Sequence, residues 1–295
     1  SDIGVFRPEQ GAWYLQRSTA GFTAANFGIA TDKLTPADYD GDGRTDIAVF
    51  RDGNWYLQRS ALGFTGLQFG AFGDIPVPAD YDGDGKADIA VFRGGNWYIQ
   101  QSSNNVFRAE QFGISTDKPV PANYDGDGKT DVAVYRDGNW YLLRSQLGFT
   151  AVSFGIATDR PVPADYDGDG RADPSVYRDG TWYLLRSRDG FTGMQFGVAS
   201  DIPVPADYDG DGKADIAVFR GGNWYIQQSS NNVFRAEQFG ISTDKPVPAD
   251  YDGDGKTDVA VYRDGNWYLL RSQLGFTGVN FGLQTDRPVV AAFVP

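Results

Sequence analysis

The 295-residue sequence predicts an all-β protein, a seven-bladed β-propeller with four antiparallel strands per blade, and three observations lead there. The pair Trp-Tyr occurs seven times, starting at Trp13, Trp55, Trp97, Trp140, Trp182, Trp224 and Trp267, spaced by 42 or 43 residues. Each unit holds four short runs rich in β-branched and aromatic residues, separated by turn-formers, and none has helical periodicity. The two ends of the chain each carry part of one of these seven units. Repeats of this length with four strands apiece stack as propeller blades.

Read from Pro76, a unit gives the strands PVPADY, DIAVFR, NWYIQQ and VFRAEQFG. In the second strand Ile89 and Val91 face one way while Ala90 and Phe92 face the other, so both faces are apolar. A sheet buried on both sides lies between two others, as a blade does and a half-solvated sandwich sheet does not. Adjacent Trp and Tyr point to opposite faces, and both are expected to be buried between neighbouring blades. Phe-Gly closes every unit, from Phe27 to Phe281. Residues 2–7 match a second strand and residues 288–293 a first strand, so residues 1–295 are expected to form a single propeller. Its last blade is shared between residues 1–28 and 288–295, which ties the ends together. Residues 74–150 and 201–277 differ only at Asn123 and Asp250, which points to recent duplication or engineering.

Composition narrows the function. With no Cys and no His there is no disulfide, no zinc-thiolate site, no thiol nucleophile and no imidazole proton shuttle. A net charge of −13 disfavours nucleic acid as a partner, and no apolar run is long enough to span a membrane. The acids are lopsided: Glu9, Glu110 and Glu237 are the only glutamates, and the rest are Asp.

Most of those Asp stand in six loops of pattern D-x-D-G-D-G-x-x-D between first and second strands. The candidate metal ligands at loop positions 1, 3, 5, 7 and 9 are Asp38, Asp40, Asp42, Arg44 and Asp46 in the first loop and Asp80, Asp82, Asp84, Lys86 and Asp88 in the second. Asn123, Asp125, Asp127, Lys129 and Asp131 follow, then Asp165, Asp167, Asp169, Arg171 and Asp173. Asp207, Asp209, Asp211, Lys213 and Asp215 precede the last set, Asp250, Asp252, Asp254, Lys256 and Asp258. Carboxylates converging at this spacing repel strongly unless a hard cation lies between them, and Ca²⁺ suits an all-oxygen set of loose geometry. Position 7 is expected to offer its backbone carbonyl while its side chain points to solvent. Glycine at position 6, as at Gly43, permits the sharp turn. An EF-hand would need a Glu at position 12, where Val stands in all six loops. About six Ca²⁺ sites are expected. The split seventh loop keeps only Asp2, with Ala292 and Val294 at positions 1 and 3. Asn123 weakens one site by a charge, and Pro174 is placed as the first residue of its strand.

The D-x-D-G-D-G-x-x-D loop after PVPAD, phased with Phe-Gly over the whole chain, resembles the FG-GAP/VCBS repeat family of extracellular propellers. Relatives occur in integrin α-subunits, in fungal and bacterial lectins and in modules of secreted bacterial proteins. The resemblance implies a calcium-bound propeller outside the cell, acting as a non-enzymatic binding or adhesion module. Its expected partner is an extracellular protein or glycan, and the chain is expected to be a monomeric ring or a module of a larger secreted protein. Two alternatives stand beside this reading: a multivalent lectin with sites repeated between blades, and a structural spacer of an extracellular enzyme. An arginine ends every second strand, from Arg7 to Arg263, at the same end of the blade as the Asp before PVP. These residues are expected mainly to pair with one another, with an anion-binding face as the less favoured reading.

Overall fold

The structure is a computed structural model and describes residues 1–289. Its strands form seven four-stranded antiparallel sheets, the seven-bladed β-propeller of the sequence reading. In one blade the strands are Ile75–Pro76, Ile89–Arg93, Asn96–Gln100 and Phe107–Gln111, paired in chain order. The first strand is only two residues long, because its second half leaves the ladder to enter the acidic loop. One bridge, Ala79 with Asp88, holds that departing segment. Where Pro174 supplies no N–H, the second strand begins one residue later, at Ser175, so the proline precedes the strand rather than opening it.

The chain divides into two compact units. One holds Ser1–Ala30, Ala164–Gly168 and the chain from Ser175 onward; the other holds Thr31–Pro163 and Asp169–Pro174. In the first unit Arg287–Val289 pairs antiparallel with Ile3–Arg7, with Val5 opposite Pro288, so the C-terminal segment supplies the first strand of the N-terminal blade. Residues 290–295, including the seventh-loop positions Ala292 and Val294, lie outside the described residues.

In both units the core lies between successive sheets. Phe92, Trp97 and Ile99 of one blade pack with Val132 and Val134 of the next, and Phe219, Trp224 and Ile226 pack with Val259 and Val261 in the same way. The second strand is buried on both faces, as its sequence requires. The Trp-Tyr pair behaves differently from expectation. Every Trp is fully buried, but its Tyr is only half-buried, with an arginine guanidinium lying over the ring; Arg93 lies 4.9 Å from the centroid of Tyr98. Each indole N–H donates to the carbonyl of the Phe in Phe-Gly, at 2.9 Å from Trp55 to Phe69 and 3.0 Å from Trp97 to Phe112. That bond explains why the two motifs keep a common phase.

Candidate metal centre

The first acidic loop is held by its own carboxylates. Asp38 at position 1 accepts the N–H of Gly41 at 2.6 Å and of Gly43 at 2.8 Å, which folds the loop back around that side chain. Both glycines adopt left-handed backbone, with φ of 80° and 78°, which other residues adopt only at a cost. Asp42 at position 5 accepts from the Arg44 N–H and from the Ser60 hydroxyl. Asp46 at position 9 accepts the Tyr39 N–H at 2.8 Å and the Ser60 N–H at 2.6 Å. Asp40 at position 3 takes the N–H groups of Ala61 and Leu62 on one oxygen. The loop is thus clamped to the hairpin joining third and fourth strands. Asp88, Asp131, Asp215 and Asp258 make the corresponding bonds in their blades.

The other oxygen of position 3 decides the chemistry. Oδ1 of Asp40, Asp125, Asp209 and Asp252 is buried without a hydrogen-bond partner. A buried carboxylate oxygen left unpaired is costly, and a cation at this point would satisfy these atoms. Four loops, each within a single unit, bring three carboxylates together, with one oxygen from each lying within 4.8 Å of the others: Asp38, Asp40 and Asp42; Asp80, Asp82 and Asp88; Asp207, Asp209 and Asp215; and Asp250, Asp252 and Asp254. Positions 1 and 3 belong to each group, joined by position 5 in two loops and by position 9 in the other two. Among the described residues the Asn123 loop gathers no such triple, in keeping with its missing charge. The fourth loop is divided between the two units: Asp165 accepts the Gly168 N–H in one, and Asp169 accepts the Arg171 N–H in the other. These clusters can hold a metal ion, and an all-oxygen donor set fits a hard cation.

Burial among like charges pushes position 9 upward, mainly by desolvation, to about 6 at both Asp88 and Asp215. At Asp254 the Ser272 hydroxyl bond has the opposite effect and lowers the pKa.

Two features of the loop went unread in the sequence. The tyrosine at position 2 is an anchor: the Tyr81 hydroxyl donates to the Val77 carbonyl at 2.7 Å, and the ring meets Trp97 edge-on. Position 7 does not simply point to solvent. The aliphatic stem of Lys86 lies across Gly41 of the preceding loop, 3.0 Å from where a Cβ would stand, and Lys129 lies likewise across Gly83. A basic residue at fixed phase beside a glycine at position 4 was the available signal.

At the opposite end of the blades the arginines are paired. Arg51 with Asp32, Arg93 with Asp74, Arg136 with Asp117, Arg220 with Asp201, Arg263 with Asp244 and Arg7 with Asp286 form two-pronged bridges at 2.5–2.9 Å. Their carboxylates are buried, so these six arginines are held as ion pairs.

A four-stranded blade with an acidic loop after its first strand, repeated around a propeller, defines the class. The chain belongs to the FG-GAP-like repeat family, whose profile matches residues 38–91, 123–173 and 207–261. No curated protein sequence matches it. Among solved structures it is similar to an Agrocybe aegerita lectin that recognises non-reducing terminal N-acetylglucosamine, with a TM-score of 0.74 at 18% identity over 96% of this chain and 90% of that one. Virginiamycin B lyase from Staphylococcus aureus gives 0.62 at 8% identity over 88% and 92%. AztD from Citrobacter koseri gives 0.59 at 12% over 98% and 96%. At these identities the likeness is one of fold, shared by a lectin and an enzyme alike. Among the described residues no helix is long and apolar enough to cross a membrane.

Proposed function

We propose that the chain is a calcium-stabilised, non-enzymatic binding module that works outside the cell, where calcium is abundant. The observation that carries this reading is the orphaned position-3 oxygen, buried beside two further carboxylates. Calcium, when bound, supplies the positive charge that lets these groups stay ionised side by side. Positions 1, 3, 5 and 9 offer carboxylate oxygens and position 7 a carbonyl, and the chain's own part is to hold them together through the glycine amides and the hairpin. Six such ions would bring the formal charge from −13 to −1, leaving a nearly neutral surface for a protein or glycan ligand. Glu110, Glu237 and Asp189, three acids outside the repeated pattern, pair with Arg108, Arg235 and Arg188 and give no support to catalysis.

A glycan-binding reading is favoured by one further observation. On each outermost strand a Phe is about 60% exposed, and Phe107 stacks on Tyr98 at 6.3 Å while meeting Phe69 of the neighbouring blade edge-on. Exposed aromatic faces suit the apolar face of a pyranose ring. Melting the chain with and without a chelator tests the calcium reading, and an unchanged melting temperature overturns it. A glycan array in millimolar calcium tests the second, and binding to no sugar removes it.

A further inference from the structure

The acidic loops of neighbouring blades are joined by one peptide unit each. The N–H of Ala87, at position 8 of its loop, donates to the carbonyl of Asp38, position 1 of the preceding loop, at 2.7 Å. Thr130 does the same to Asp80 and Ala172 to Asn123, all within one unit; in the other, Ala214 donates to Asp165 and Thr257 to Asp207, every one at 2.7 Å. These bonds are shorter than the usual backbone bond. The peptide that donates is the one whose carbonyl belongs to position 7, the backbone ligand of its own loop. The same position-7 side chain covers the preceding loop, with Lys86 across Gly41 and Lys129 across Gly83.

We propose that calcium binding at successive loops is positively coupled through these peptides, a proposal that rests on the calcium reading above. A peptide whose carbonyl faces a cation is polarised, and its N–H becomes a stronger donor. The bond from Ala87 then fixes the backbone of Asp38, the residue that organises the preceding loop through Gly41 and Gly43. Conversely, ordering at Asp38 holds the Lys86–Ala87 peptide in place for its own loop. Each ion therefore lowers the ordering cost of the next, so the loops fill together rather than one at a time.

The test is a calcium titration of the full chain, followed through the amide resonances of the position-6 glycines. In the wild type, Gly43 and Gly85 are expected to shift with a common midpoint and a Hill coefficient above 1; independent single-site curves overturn the coupling. In the double substitution Asp82→Asn and Asp84→Asn, the midpoints at Gly43 and Gly128 are expected to rise roughly 5-fold or more. Gly255, whose loop exchanges no such bond directly with residues 80–88, is expected to move least, and its calcium-dependent shift reports that the variant is folded. Unchanged midpoints at Gly43 and Gly128 overturn the coupling while leaving the calcium reading intact. Absence of any calcium-dependent shift in the wild type overturns the calcium reading instead.

Discussion

Asp244 receives the Arg263 guanidinium on both oxygens, at 2.6 and 2.7 Å, while the Ile241 N–H donates to one of them at 2.9 Å. The carboxylate is buried and the guanidinium partly exposed over the ring of Tyr268, so one acid fixes a turn, a strand end and an aromatic face together. Asp244→Ala is expected to destabilise the chain by about 1–3 kcal/mol, read from chemical denaturation, because it strands buried donors. Arg263→Lys keeps the charge but loses the fork, and is expected to cost less than the alanine change.

Trp97→Phe is expected to cost about 2–4 kcal/mol in the same assay. It leaves the Phe112 carbonyl without its donor and opens space at a fully buried position. A change within 0.5 kcal/mol would contradict the structural role given to the Trp and Phe-Gly phase.

The position-9 carboxylates set a pH dependence. Asp88 and Asp215 are raised from 3.8 to about 6 by burial, so folding favours their protonated form. Their contribution is fully present below about pH 4 and is lost as pH rises through about 6. In chelator the melting temperature is therefore expected to be higher at pH 5 than at pH 7. In millimolar calcium the order reverses, because protons then compete with the ion. A chelated chain that melts higher at pH 7 would contradict the assignment.

Asp40→Asn separates charge from shape. In chelator it relieves repulsion among Asp38, Asp40 and Asp42, and the melting temperature is expected to hold or rise. In calcium it removes a ligand charge, and the chain is expected to melt lower than wild type, by about 1 kcal/mol of lost linkage. Equal effects in both buffers would assign Asp40 a purely structural role.

Much of this was legible in the chain. The Trp-Tyr beat predicted seven blades, and the doubly apolar DIAVFR strand predicted sheets buried on both faces. The Asp spacing located the clusters. What the sequence could not convey were relations between neighbouring blades. Lys86 reads as a solvated side chain until the preceding loop is placed beside it, and within one blade Tyr98 reads as core until Arg93 covers it. The short first strand was also hidden, because PVPADY has strand composition while its last residues must turn to form the loop. Pairing of Arg93 with Asp74 was foreseeable from their common end of the blade, but its bidentate geometry and burial were not.

The most direct test of calcium-held loops is a calorimetric titration of the chelator-stripped full chain with calcium. The six D-x-D-G-D-G-x-x-D loops predict uptake of about six ions, at dissociation constants of roughly 10⁻⁴–10⁻³ M, with the Asn123 loop the weakest. No saturable uptake up to several millimolar calcium would contradict it.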